Sequence, residues 1–455
     1  MRLVIPILTA ITLTCPLGAG PTWAAVSESQ AALLKTTLTP VGAERDGNKD
    51  HTIPAWTGGY TIVPPGYREG DARPDPFAAE KPLFTITAKN LATYADRLPE
   101  GAKELFKKYP DYHMNIYATH RSAAAPASVY AAIYQNATHA HAAADGIAYG
   151  VEGAAGGIPF PVPQNGFEAM WNHLLAFWGP AREVDLKTWV ISANGSAQLA
   201  TGYKETSDFP YYYPGATPQS LGGYYFRTLR SDNAPPSKVG EGYLDWQPLD
   251  SGRYSFNAWR VLPGEHRVRR GPGITYDTPD PDASGMEALD EYYVFFGGLD
   301  HYDFKLAGKK EMYIPYNNNR FYTRPTDEIL GQHYANPEDL RYELHRVWVV
   351  DGTLKPGAHD IVARRRLYLD EDTWFAVYGD SWDESNRIWK FGQGTMYLMP
   401  EIPAVILGGQ FVYDLQLGGY VYGFAFNDQP QAYKVTAPHP ANFFTPESMA
   451  AHAIR

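Results

Sequence analysis

The residues of this chain best suited to chemistry are arginines set beside aromatic rings. His266-Arg267-Val268-Arg269-Arg270 follows Trp259 and the turn Pro263-Gly264, and Arg364-Arg365-Arg366 runs into Leu367-Tyr368-Leu369. Side chains alternate between faces along a strand, so Arg267 and Arg269 share one face while Val268 and Arg270 share the other. A planar guanidinium fork suits a phosphate or carboxylate headgroup whose alkyl tail runs along neighbouring rings. Alternatively, the same arginines pair with Asp and Glu across strands on a solvated face.

Three acidic groups invite other chemistry. Asp46-Gly-Asn48-Lys-Asp50 spaces acids and an amide as the start of a calcium loop does, pointing alternate side chains at one ion. His51 replaces the sharp-turn glycine and Thr57 the bidentate glutamate, so an Asx-rich turn capping its own backbone competes with calcium. Asp290-Glu291 precedes the strand pattern Tyr292–Phe296 and is a candidate acid and base, against which adjacent strand residues point to opposite faces, and spacing alone does not show two carboxyls converging on one bond. Asp370-Glu371-Asp372 falls between two strand patterns and reads as a charged hairpin tip. His139 and His141, among alanines and with no acid at ligand spacing, read as a solvated helix face rather than a metal site. Nucleophile-elbow, H-E-x-x-H, Walker and dinucleotide-binding motifs are absent, and the cluster Gly150, Gly153, Gly156, Gly157 reads as a flexible loop.

The elements that must position these groups change character along the chain. Before about residue 180 the pattern is irregular and partly helical, with helices expected at Ser27 to Leu34 and, split by Pro99, at Leu91 to Tyr109. The clearest helix spans Phe167 to Trp178: Asn165 and Glu168 stand at capping-box spacing, and Gly179-Pro180 ends it. Phe167, Met170, Trp171, Leu174, Leu175 and Trp178 form one apolar stripe that needs a large apolar partner. After residue 180 the period becomes two. Leu186 to Ile191 and Ala197 to Tyr203 flank Asn194-Gly195, a hairpin signal, and a dozen further strands follow with short turns.

The expected fold is therefore α+β and mainly antiparallel, a large curved sheet with helices covering its concave face. Residues 25–180 pack on a half-barrel formed by 181–455 within one continuous domain. The tryptophan stripe lids or plugs the resulting apolar trough. Trp171, Leu174, Trp178, Trp259, Arg267, Arg269, Tyr276, Trp348 and Trp374 are the candidate ligand-binding residues. Asp46, Asn48 and Asp50 are the candidate metal ligands, with calcium the one cofactor to consider.

Composition and the N-terminus set the compartment. Arg2, the apolar run Leu3 to Leu17 and Thr22-Trp23-Ala24 read as an export signal occupying residues 1–24 and cleaved near Ala24, too short to span a membrane. The one cysteine, Cys15, lies inside that signal without the small preceding residue of a lipidation site, so the exported chain forms no disulfide or thiolate site. Net charge −11 with no long basic run excludes nucleic acid and electrostatic docking on anionic lipid. No apolar run after residue 24 is of spanning length, so the expected protein is periplasmic and not integral to the membrane. Tyr 33, Trp 11 and Phe 20, with Gly 42 and Pro 37, suit strands and tight turns.

Longer motifs carry a family resemblance. Leu38-Thr-Pro-Val-Gly-Ala-Glu-Arg-Asp46, Thr52-Ile-Pro-Ala-Trp56-Thr-Gly-Gly59, Trp171-Asn-His173, Gly308-Lys-Lys-Glu-Met-Tyr-Ile-Pro-Tyr316 and Glu343-Leu-His-Arg-Val-Trp348 resemble an exported bacterial family of unknown function, DUF1329. That family resembles the outer-membrane lipoprotein-sorting superfamily. The resemblance implies a LolA/LolB-like half-barrel with helices stoppering an apolar cavity, and outer-membrane association is compatible with it. It also implies service to exporters of the resistance–nodulation–division type, and it carries over no catalytic residue. The expected function is a periplasmic carrier of a lipid-like ligand. The alternatives are an envelope enzyme using Asp/Glu pairs such as Asp290 and Glu291, and an accessory protein of an export complex without a small ligand.

Overall fold

The computed structural model describes residues 25–264, 267–271, 276–429 and 433–453, so the expected signal, with Cys15, and His266 lie outside the described residues. Among the described residues sixteen strands form one open, curved, mainly antiparallel sheet. Its long axis consists of two meanders laid side by side. One runs from Tyr302–Pro315 through Tyr342–Leu354, Arg364–Asp370, Ala376–Trp382, Ile388–Met399 and Ala404–Asp414 to Tyr420–Ala425. The other starts earlier in sequence, at Ala181–Ile191, and passes through Ala197–Asp208, Tyr224–Ala234 and Gly242–Pro248 to Asn257–Val261 and Arg269–Arg270. The meanders meet where Tyr420 pairs with Ile191. Phe84–Thr87 and His113–Ile116, strands that the irregular N-terminal pattern conceals, extend the opposite end, with one parallel contact between Ile116 and Tyr342.

Register shows how both faces of the sheet are covered. Gly379 pairs with Leu367 and with Gly392, so these three share a face with Arg365, while Asp380 and Phe391 point the other way. Over Asp380 lies the helix Glu100–Lys108, begun by Pro99 as its sequence implies: the carboxylate accepts the Glu100 and Gly101 N–H groups at 2.9 and 2.8 Å. Over the glycine pair lies the segment 292–296. This double cover explains why every residue of Ala376–Trp382, Ala404–Asp414 and Tyr420–Ala425 is buried, where a half-solvated strand would alternate.

Three local expectations change. The segment expected as the strand Tyr292–Phe296 is irregular, with Tyr293 and Val294 at φ 53° and 71°. Val294 gives up ladder pairing, donates its N–H to Gln410 Oε1 at 2.8 Å, and wedges its side chain against Gly379 and Gly392. Asp370-Glu371-Asp372 does form a hairpin turn, but it is buried rather than solvated, because Arg121, Lys309 and Arg346 cover it. The glycine cluster 150–157 is an ordered loop against the helix Ala127–His139, where Asn136 Nδ2 donates to the carbonyls of Ala155, Gly157 and Ile158. Gly157 is required there, since a Cβ would stand 2.6 Å from Ile133 Cγ1. Among the described residues no helix is long and apolar enough to cross a membrane.

Candidate functional site

The tryptophan-bearing helix spans Gly166–Leu174, capped by Asn165 Oδ1 accepting the Glu168 N–H at 3.0 Å. It ends four residues before Trp178, and the chain then runs irregularly to Gly179, whose φ of 89° turns it into the strand Ala181–Ile191. Helix and tail lie on the same face as the segment 292–296: a Cβ on Gly166 would press on the backbone of Phe304, which pairs with Gly352 on the Arg365 side of the sheet.

His173 stitches this assembly together. The Ala376 N–H donates to its Nδ1 at 3.0 Å, and its Nε2–H donates to the Phe295 carbonyl at 2.8 Å. Both bonds require the neutral ring, and burial pulls its pKa down to about 4.

Beneath the tail two small cavities flank Phe375. One, about 20 Å³, is lined by Leu174, Trp178, Phe209, Phe226, Phe295 and Arg182 among others. The other, about 30 Å³, is lined by Val129, Ile133, Phe177, Tyr212, Trp374 and Asp372 among others. Each has room for about one water molecule. The trough is thus plugged by the protein's own rings: Trp178 meets Phe375 edge-on at 4.7 Å and Tyr293 at 5.1 Å.

The polar end of the first cavity is Arg182. It is buried, donates to Glu205 Oε1 at 2.7 Å and to the hydroxyls of Tyr293 and Tyr433 at 2.9 Å, and lies 4.7 Å from the Trp178 ring centroid. Its Nε–H has no hydrogen-bond partner among the described residues. Such an orphan is expensive in an apolar wall.

The candidate residues separate into four places. Leu174, Trp178 and Trp374 line the cavities. Trp171 is buried in the helix base, donating to the Ile147 carbonyl at 2.6 Å, and half-buried Trp348 stacks on Trp374 at 6.0 Å. Trp259, Arg267 and Arg269 stand at the far end of the sheet, the two arginines exposed, and line neither cavity. Tyr276 stacks on His301 at 4.0 Å, in a buried polar cluster around Arg365.

Asn48 Oδ1 accepts the Ile53 N–H at 2.9 Å while its Nδ2 donates to Thr52 and Glu311, which commits that amide to turn formation. Asp46 and Asp50 flank it with exposed side chains. Asp290 and Glu291 diverge from a single 3-10 turn. Asp290 pairs with Arg365, whereas Glu291 accepts from Lys390 at 2.6 Å and from the Ala288 N–H.

Arg182, His173 and Phe375 carry the site yet were not singled out by sequence. Hairpin register held a partial signal: counting back from Asn194-Gly195 sets Arg182 opposite Ser207 and Glu205 opposite Val184, a diagonal pair. The turn itself closes one residue off that count, with the Ser192 N–H donating to the Ser196 carbonyl, and the bulge at Thr188/Trp189 restores it.

The family model "Protein of unknown function (DUF1329)" matches residues 85–450. An uncharacterized protein of Pseudomonas aeruginosa is 36% identical over 437 residues, covering 95% of each chain. Among solved structures, a DUF1329 family protein from Desulfovibrio piger aligns at 14% identity and TM-score 0.41, over 62% of this chain and 97% of its own. A LolA superfamily protein from Nitrosomonas europaea aligns at 12% identity and TM-score 0.37, over 63% of this chain and 100% of its own.

Proposed function

We propose, from the premise that this chain belongs to the DUF1329 family, that it binds and carries an amphipathic, lipid-like ligand in the cell envelope, and that the structure is its closed form. The export signal read at residues 1–24 supports a periplasmic setting for that work, and the family resemblance supports an envelope exporter as partner. The observation that carries this reading is the pair of apolar cavities beneath residues 175–180, separated by Phe375 and bounded by a buried arginine with an unused donor.

Opening is energetically accessible to such a ligand. Lifting the tail together with the last turn of the helix, residues 173–180, exposes Trp178 and Leu174, at about 1.5–3 kcal/mol each, and breaks the two His173 bonds at about 0.5–1.5 kcal/mol each. An acyl chain of about ten methylenes returns roughly 8 kcal/mol on burial. Arg182 Nε–H then meets a carboxylate, phosphate or ester oxygen of the headgroup.

Organic extraction of the purified protein followed by mass spectrometry is expected to find a bound amphiphile. A fluorescent fatty acid is expected to bind, and Phe375→Ala, which joins the cavities, to bind it several-fold more tightly. A clean extract together with no uptake by either form would end the carrier reading.

A further inference from the structure

The cluster at Arg365 lies outside the cavities and has an arrangement of its own. Asp290, His301 and Asp360 come from three separate segments: the 3-10 turn Leu289–Glu291, the residue before the strand Tyr302–Pro315, and the loop leading to the strand Arg364–Asp370. All three are at least nine-tenths buried, at 2%, 6% and 5% exposure. Each carboxylate has one oxygen that accepts a hydrogen bond and one that accepts none, Asp360 Oδ2 only ion-pairing with His301 Nε2 at 3.3 Å. Asp290 Oδ2 is held by Arg365, and Asp360 Oδ1 accepts the Val362 N–H at 2.7 Å with Arg365 Nη2 at 3.5 Å. The other two oxygens, Asp290 Oδ1 and Asp360 Oδ2, and both His301 ring nitrogens have no hydrogen-bond partner among the described residues.

These unused atoms are not scattered. One ligand atom from each residue lies within 4.8 Å of the other two. A divalent ion with bonds of about 2.0–2.2 Å keeps its ligand atoms about 3–3.5 Å apart, so small side-chain rotations complete the set. The surroundings match what metal ligands require. His301 Nε2 stands 3.3 Å from Asp360 Oδ2, whereas Nδ1 faces Asp300 Oδ1 at 3.8 Å, placing a carboxylate behind the nitrogen that does not face the cluster. The ring is held between Tyr276, parallel at 4.0 Å, and Tyr302 at 4.5 Å, and the Tyr276 hydroxyl anchors Asp300 at 2.5 Å.

We propose that Asp290, His301 and Asp360 form a structural site for a divalent transition cation of the Zn2+ or Mn2+ class. Asp300 orients the imidazole, and Arg365 holds the two carboxylates. One imidazole with two carboxylates selects such ions over Ca2+, which takes oxygen ligands alone. The ion cross-links three segments that no disulfide joins.

The test uses the full chain after chelator treatment and dialysis. Zn2+ titrated by calorimetry is expected to bind one equivalent, to raise Tm and to resist competition by Ca2+. Pulsed EPR of the Mn2+-loaded wild-type protein is expected to show one imidazole nitrogen, which keeps the test independent of any variant's folding. Asp360→Asn and His301→Gln are expected to abolish the stoichiometric site. Asp300→Asn is expected to weaken it about 10–100-fold, and His345→Gln to leave it unchanged. No binding at millimolar Zn2+ and Mn2+, no nitrogen coupling, or binding unaffected by both ligand variants would overturn the proposal.

Discussion

Arg365 and Asp370 stand five residues apart on one strand and therefore face opposite sides of the sheet, and each belongs to a buried cluster of one histidine and two aspartates. The composition is the same and the bonding is not. On the Asp370 side, Asp372 is clamped by Arg121 through two bonds of 2.6 and 2.9 Å, and His345 Nε2 lies against Glu343 at 3.2 Å. Glu371 is shared by Lys309 and Arg346. On the Arg365 side one guanidinium serves two carboxylates, and four ligand-type atoms make no hydrogen bond among the described residues, His301 Nε2 and Asp360 Oδ2 meeting only as an ion pair at 3.3 Å. In the first cluster cations hold Asp372 and Glu371, and Asp370 Oδ1 is its one atom without a hydrogen-bond partner among the described residues; the second has more room in its bonding for another cation. Residue type alone does not distinguish an ionic staple from a binding site. What distinguishes them is how many of the lone pairs are already used.

The largest expected effect tests this contrast directly. Arg121→Ala leaves Asp372 buried and unpaired, and is expected to cost about 3–5 kcal/mol in urea unfolding. Arg365→Ala is expected to cost a similar amount at its own cluster. Zn2+ is then expected to recover part of the loss at Arg365 and none at Arg121; equal recovery at both, or at neither, would erase the distinction drawn between them.

Next come two titrations of opposite sign, one on each face. His173 is neutral and doubly bonded, with a folded-state pKa drawn down to about 4 by burial. The unfolded chain takes up a proton first as pH falls, so stability drops between about pH 6.5 and 4, by roughly 3 kcal/mol, and is flat below. His173→Gln is expected to flatten that limb, read from urea midpoints at pH 7 and 4.5.

On the other face, burial and then Asp372 push the Asp370 carboxyl up to about 7. The folded chain there holds a proton that the unfolded chain has lost. Its stabilising contribution is therefore full below about 3.8 and disappears as pH rises through 7. Asp370→Asn is expected to gain on the order of 2 kcal/mol relative to wild type between pH 5 and pH 8. A pH-independent difference would mean that Asp370 titrates normally.

The smallest effect separates the two glycines under Val294. A Cβ at Gly379 would stand 2.9 Å from Val294 Cγ1 and 3.3 Å from Leu367 Cδ2, whereas one at Gly392 meets the same methyl at 3.5 Å, ordinary contact. Gly379→Ala is expected to cost about 1–2 kcal/mol from overpacking. Gly392→Ala is expected to change stability by less than about 0.5 kcal/mol. Equal Tm values for the two variants would show that the segment 292–296 yields freely.

Much of the scaffold was legible because its signals are local. The Asn165 cap, Pro99 at the head of a helix, the Asn194-Gly195 hairpin and the run of period-two segments each depend on neighbours a few residues apart, and each appears in the structure. Leu174, Trp178 and Trp374 reached the cavities for the same reason: a large ring in an apolar pattern goes to the interior. The arginines did not follow. Arg267 and Arg269 make the more conspicuous motif, yet Arg182 holds the cavity, because an arginine's surroundings are set by strands paired across the sheet. Asp290-Glu291 looked like a carboxylate pair, and the turn that carries it sends the two side chains to different cations.

What the amino-acid order determined by itself is the class of fold and the identity of its apolar faces, since periodicity and turn chemistry act over a few residues and survive without tertiary context. Only the tertiary structure decided which buried charges meet. Asp290 lies 75 residues from Arg365 and Asp372 lies 251 from Arg121, and their pairing depends on strand register, a bulge and the insertion of one irregular segment across the sheet. Burial makes those contacts strong and leaves little slack for error, so the same residue types become a mainly self-paired ionic staple on one side and the proposed metal site on the other.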